Sequence, residues 1–143
     1  MIIPDVNLLL YAEIDAYPQH ARARTWWEQA LNGERMVGIP SVSLFGFVRL
    51  ATNRRVFADP LSTSEAIGRV NRWLECPQAQ YLIPGPRHLS IALGLLSSLG
   101  TAGNLTTDVQ LAAHAIEHQA ELHSNDLDFG RFEGLRWRNP LER

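Results

Sequence analysis

The chain contains no lysine; all thirteen of its basic residues are arginine. Schiff-base chemistry, the P-loop and the phospho-acceptor site of response-regulator receivers each require a lysine, so all three are excluded. A single cysteine, Cys76, permits neither an internal disulfide nor a cysteine metal cluster and suits a reducing compartment. Between Leu74 and Pro77 it reads as a packing residue. Long apolar runs are also lacking. The stretch from Val6 to Ala12 is interrupted by Asn7 and falls far short of the roughly 20 residues of a membrane span. No basic leader of a secretory signal opens the chain, so a cytoplasmic protein without membrane contact is expected. The net charge is −2, which supplies no global basic field for nucleic acid.

With 143 residues, 45% of them hydrophobic and 20% charged, the chain reads as one globular domain spanning 1–143 with a core of its own. It holds no internal repeat or low-complexity tract. The arginines fall in local groups: Arg22/Arg24, Arg49 with Arg54 and Arg55, Arg69/Arg72, and Arg131/Arg136/Arg138. A planar guanidinium can bond phosphate bidentately, although solvated surface arginine accounts for the same pattern.

Residues 2–6 read as a short buried strand ending at Asp5, and Asn7 then opens a helical run. From Pro18 a second helical pattern carries Trp26 and Trp27 to the stop at Asn32-Gly33. Met36 to Ile39 form a strand candidate, and Pro40-Ser41 start a helix that runs from about Val42 to Thr52. A capped helix over 63–74, a strand at 81–83 and an amphipathic helix over 88–99 follow, the last with Leu89, Ala92, Leu93, Leu96 and Leu99 as its buried stripe. Residues 100–103 read as a flexible link. A helix from Asn104 to about Gln119 places Asp108 beside the Leu105, Val109, Ala112, Ile116 stripe. A strand at Leu122-His123 and an edge strand over 134–137 complete the chain. Helices alternate with short strands, so the expected architecture is a three-layer α/β/α sandwich on a mainly parallel sheet of about five strands.

Four carboxylates mark the chemistry. Asp5 ends the first strand, Asp108 lies in the first turn of a helix, and Asp126 and Asp128 follow the last inner strand. Taken singly, Asp5 is also explained as a helix cap and Asp108 as an acid that complements the helix dipole. Two carboxylates about 4 Å apart repel by roughly 4 kcal/mol at an effective dielectric near 20. A fold that gathers several of them therefore calls for a cation, a proton or open water. Oxygen-only donors suit Mg²⁺ or Mn²⁺, which can activate water for attack on phosphorus. Phosphodiester hydrolysis is the expected reaction. The pattern His114-x-x-Glu117-His118 matches that of inverted zinc peptidases, but both histidines project away from the helix's apolar stripe, toward solvent. His20, His88 and His123 lack ligand spacing and read as surface or packing residues.

Asp5-Val6-Asn7, Asn104 through Asp108 with Ala112-Ala113, and Ser124-Asn125-Asp126-Leu127-Asp128-Phe129 resemble the successive acidic motifs of PIN-domain ribonucleases. Arg49-Leu50-Ala51-Thr52-Asn53 and Asn139-Pro140-Leu141 resemble, more narrowly, VapC toxins of type II toxin–antitoxin modules. The resemblance covers almost the whole chain. It implies a Mg²⁺- or Mn²⁺-dependent endoribonuclease, usually a homodimer, held inactive by a VapB-type antitoxin in its active-site groove. Asp5 and Asp108 match the principal metal ligands and Asp126 the later acid, with Asp128 in support and Asn7 and Ser124 as orienting polar groups. Arg49 and Arg54 are candidate substrate contacts. One departure stands out. Where many PIN domains carry a glutamate in the helix after the second strand, this chain has Phe45-Gly46-Phe47. Either Glu13 or Asp59 substitutes, or fewer acids suffice, or the chain is a degenerate PIN domain that binds RNA or a partner without cutting it.

Overall fold

The computed structural model describes residues 1–100 and 103–142. Five strands, β1 (Ile2–Pro4), β2 (Val37–Pro40), β3 (Ala79–Leu82), β4 (Glu121–His123) and β5 (Arg136–Arg138), form one sheet in the order β3-β2-β1-β4-β5. Every neighbouring pair is parallel. Six helices connect them: α1 (Val6–Glu13), α2 (His20–Leu31), α3 (Ser41–Ala51), α4 (Thr63–Glu75), α5 (His88–Leu99) and α6 (Thr106–Glu117). The expected three-layer sandwich is the observed one.

A three-residue strand buried on both faces must be apolar throughout, and Ile2, Ile3 and Pro4 are all buried. Ile2 joins a core beneath α1 to α4 that includes Leu9, Trp27, Phe47 and Trp73. Ile3 joins the opposite core, with Leu111, Ala112 and Leu122 beneath α5 and α6. Both β1 and β2 end on proline. A residue without an N–H is tolerated where the ladder stops, and each strand passes at once into a helix. The capping expected at Ser41 is not made: Ser41 is already helical and Pro40 takes the cap position with no side-chain bond. The cap of α4 is a full capping box, in which Ser62 and Glu65 satisfy each other's backbone N–H groups.

Two helical faces differ from expectation. On α5, Ala92, Leu96 and Leu99 pack inward with Ile91 and Leu95, but Leu89, 67% exposed, and Leu93 point outward. The helix is apolar on nearly every side, so periodicity alone does not choose the face. On α6, His114 is buried rather than turned to solvent, because α5 covers that side and brings the His88 ring within 4.2 Å of it. His118 is half-buried, its Nδ1 on the His114 carbonyl oxygen. A 3₁₀ turn at Gly103–Leu105 precedes α6, where the sequence predicts a helix start at Asn104. The centre of the expected flexible link, Thr101 and Ala102, lies outside the described residues. No described helix is long and apolar enough to cross a membrane.

Candidate functional site

The sheet order turns back at β1, with β2 and β3 on one side and β4 and β5 on the other. The carboxyl ends of strands at such a switch point are where open α/β sheets bind ligands. Pro4 pairs with His123, so the next residues, Asp5 and Ser124, leave the sheet side by side.

Asp5 serves as cap and site residue at once. Its Oδ1 accepts from the Val6 N–H at 2.7 Å, and its Oδ2 accepts from the Ser124 hydroxyl at 2.7 Å. With its single proton committed to Asp5, Ser124 accepts from the Asp126 N–H at 3.0 Å and from Asn7 Nδ2 at 3.5 Å. One buried hydroxyl thus connects three of the sequence-predicted residues to the fourth. Burial pushes the Asp5 carboxyl above its ordinary pKa, against the pull of the Ser124 and Val6 hydrogen bonds; the Asp126 charge pushes it higher still.

Asp108 reaches the same place from the first turn of α6. Its pKa is pushed up to about 6, first by burial and then by the charges of Asp5, Asp126 and Asp128, with only Arg131 opposing. Four carboxylates from three segments are therefore electrostatic neighbours. They do not close on one point: among the described residues no three His, Cys, Asp or Glu side chains stand close enough to ligate a single ion directly. Asp126 turns one oxygen onto the Asp128 N–H at 2.9 Å, capping a 3₁₀ turn. Asp128 lies at the rim, ion-paired to Arg131 at 3.0 Å.

The donors are all oxygen, and the buried Asn7 Oδ1 has no hydrogen-bond partner. By the chemistry of its donors such a set would suit a hard cation such as Mg²⁺ or Mn²⁺. Asp5, Asp108 and Asp126 are the residues that could hold it.

A cleft of about 540 Å³ opens from Asp5 along α3, lined by Val42, Phe45, Gly46, Arg49 and Thr107. Arg49 therefore belongs to the site. Arg54 does not: it borders a separate hollow with Asp59, Pro60 and Glu65. Nor does a replacement acid reach the cleft. Glu13, at the far end of α1, is held by Arg69 at 2.8 Å and Trp73 Nε1 at 2.9 Å. Asp59 lies among Glu13, His20 and Arg24. At Gly46 a Cβ would meet Val6 Cγ2 at 2.7 Å, so close packing of α3 on α1 accounts for the glycine.

Two contributors lie within the resembling segments but are not singled out there as site residues. Asn139 Nδ2 donates to Asn125 Oδ1 at 3.0 Å, bracing the acidic loop from the far end of the chain. Thr107, inside the segment from Asn104 to Asp108, lines the cleft, a placement that a threonine in a first helical turn does not announce. His123, expected at the surface or in simple packing, is buried within a hydrogen-bond network on the other face of the sheet.

Comparison with known proteins identifies the family and the fold. The family described as PIN domain matches residues 2–135. Ribonuclease VapC33 of Mycobacterium tuberculosis is 57% identical over 141 residues, 99% of each chain. Ribonuclease VapC37 of the same organism is 44% identical, covering 98% of this chain and 97% of its own. Among solved structures, Mycobacterium tuberculosis VapC20, described as a sarcin-ricin loop cleaving toxin, superposes with a TM-score of 0.70 at 14% identity, covering 95% of this chain and 99% of that one. VapBC-1 from nontypeable Haemophilus influenzae gives 0.69 at 19% identity, covering 99% and 100%. The chain belongs to the PIN-domain family.

Proposed function

We propose that the protein is a Mg²⁺- or Mn²⁺-dependent endoribonuclease, the toxin of a type II toxin–antitoxin module, restrained by a VapB-type antitoxin seated over the acidic cleft. One observation carries this reading: the Asp108 carboxyl is raised to about 6 by burial together with three other carboxylates, a charge density that a hard cation relieves. Its relatives VapC33, VapC37 and VapC43 of Mycobacterium tuberculosis are named as ribonucleases, which supports the substrate class.

A bound divalent ion supplies activated water and charge neutralisation at the scissile phosphate. Asp5, Asp108 and Asp126 would hold it. Ser124 fixes the Asp5 rotamer, Asn7 offers a further oxygen, and Arg49 on the cleft wall pairs with a backbone phosphate. The whole chain, 1–143, acts as one domain in the cytoplasm. Exposed Tyr81, Ile83, Leu89 and Leu93 supply apolar surface for a homodimer.

The missing acid at Gly46 favours a second reading, in which the cleft binds RNA or a protein partner without cleaving. A single experiment separates the two. Purified protein is incubated with single-stranded RNA, with Mn²⁺ or with chelator. Metal-dependent cleavage lost in Asp5→Asn and Asp108→Asn upholds the nuclease. Absence of cleavage in the unaltered protein favours the binding-only reading, and cleavage that persists in both variants rejects the site.

A further inference from the structure

The face of the sheet opposite the acids carries a second concavity, of about 590 Å³, that the chemistry above does not use. Its floor follows from strand alternation. Along β4 Leu122 enters the core beneath α6, His123 points the other way, and Ser124 returns to the acids. His123 is nearly inaccessible, and its hydrogen bonds fix its form. The Trp26 Nε1–H can only donate and lies 3.0 Å from His123 Nδ1, so Nδ1 accepts and Nε2 carries the proton, donated to Glu121 at 2.6 Å. Burial holds this imidazole below its usual pKa, against the pull of Glu121. Trp26, stacked on Trp27 at 5.3 Å, is thereby held at one orientation with part of its ring lining the pocket.

Around this fixed indole stand Arg22 from α2, Arg35 from the turn before β2 and Arg138 from β5. Glu121, on β4, is already paired with Arg35 at 3.4 Å. Among the described residues Arg22 and Arg138 make no ion pair, which leaves about two positive charges beside an immobilised aromatic in a protein whose net charge is −2. Lone surface arginines need no explanation. Three converging from separate elements on a tryptophan anchored by a buried histidine form a site for an anion with a flat ring: a nucleotide unit, with its base against Trp26 and phosphates on the arginines.

We propose that this pocket is a second, non-catalytic subsite for single-stranded RNA, engaging nucleotides beyond the one at the acids. His123 and Ser124 are consecutive, about 3.8 Å apart along the backbone, so a strand lying over the carboxyl end of β4 passes from one site to the other. The proposal rests on the ribonuclease reading for its substrate class.

The test is fluorescence anisotropy of a fluorescein-labelled single-stranded RNA of mixed sequence, on Asp5→Asn protein so that the strand stays whole. Adding Arg22→Ala and Arg138→Ala, both at exposed positions, should weaken binding about tenfold. It should also flatten the plot of log affinity against log salt by about 1.4, or about 0.7 for each phosphate no longer neutralised. Unchanged affinity and slope overturn the proposal. If the double substitution leaves RNA binding intact but abolishes binding of free adenosine monophosphate measured by calorimetry, the pocket serves a free nucleotide and the RNA assignment fails. If it leaves RNA binding intact but weakens capture of a co-expressed antitoxin, the pocket belongs to a protein partner and the assignment fails equally. Cleavage by protein retaining Asp5 is scored separately. If that protein does not cut, while RNA affinity still depends on Arg22 and Arg138, the nuclease reading falls and the subsite stands.

Discussion

The Ser124 hydroxyl donates to Asp5 Oδ2 at 2.7 Å, across 119 positions of sequence. This bond joins the ends of two adjacent parallel strands and sets the rotamer of the most buried acid in the site. Replacing Ser124 with alanine leaves one Asp5 oxygen and the Asp126 N–H without their partner, at a cost of about 1–3 kcal/mol. Ser124→Ala should lower the melting temperature and weaken cleavage mainly through a higher Mn²⁺ requirement. Retention of both wild-type melting and wild-type metal dependence would remove Ser124 from the site.

Asp108 predicts a pH-dependent penalty. Its pKa is raised from 3.8 to about 6 on folding, so the native state binds its proton more tightly than the unfolded chain does. The contribution of this group to stability is then greatest below about 4, falls as pH rises through 4 to 6, and stays reduced above. Since the group is half-buried, the effect is on the order of 1 kcal/mol. Metal-free Asp108→Asn should melt higher than wild type at pH 7.5 and about equally at pH 4. Mg²⁺ should raise the melting temperature of wild type at pH 7.5 and do less for the variant. Thermal scans with and without chelator check both.

His114 predicts the opposite slope. Burial, then the neighbouring His88 and His118, lower its pKa from 6.5 to about 4, so the unfolded chain takes up a proton that the native one refuses. Its contribution is intact above 6.5 and is lost as pH falls toward 4. The His114→Leu variant should gain stability relative to wild type at pH 5 compared with pH 8, by denaturant titration at each pH. Equal differences at both would show that His114 does not titrate in this range.

Glu13 distinguishes structure from catalysis. It joins Arg69 and Trp73 at the far end of α1 from Asp5. Glu13→Ala should cost about 1–3 kcal/mol by stranding the Trp73 N–H, while the turnover of the folded protein is unchanged. A selective loss of turnover at full stability would make Glu13 the replacement acid after all.

Gly46→Ala should destabilise by about 1–3 kcal/mol, because its Cβ would press on Val6. Phe45→Glu, at a position 69% exposed on the cleft wall, should leave the stability within about 0.5 kcal/mol of wild type. The pair is compared by chemical denaturation. Equal stability of Gly46→Ala and wild type would refute the packing account of the missing acid.

Much of this is legible in the sequence, for identifiable reasons. Asp5, Asp108 and the 124–128 loop each sit where a strand or helix terminates, and terminators and caps are local signals. Their convergence is legible only through the alternation that implies a parallel sheet. What stays hidden depends on packing between elements. The face of α5 is undetermined because nearly every side is apolar, and His114 is misplaced because the cover given by α5 is not written in α6. Arg49 and Arg54, five positions apart, look equivalent until the end of α3 sends one into the cleft and the other away.

The middle strand of the sheet lies at the very start of the chain, and one of its two neighbours, β4, begins only at Glu121. A parallel pairing of such sequence separation cannot form until both partners exist. Until β4 and the loop after it have been made, Asp5 has neither Ser124 nor Asp126 beside it. The proposed cutting centre therefore comes into being only after the segment carrying Ser124 and Asp126 has been made, and a nascent chain shorter than that has no such centre.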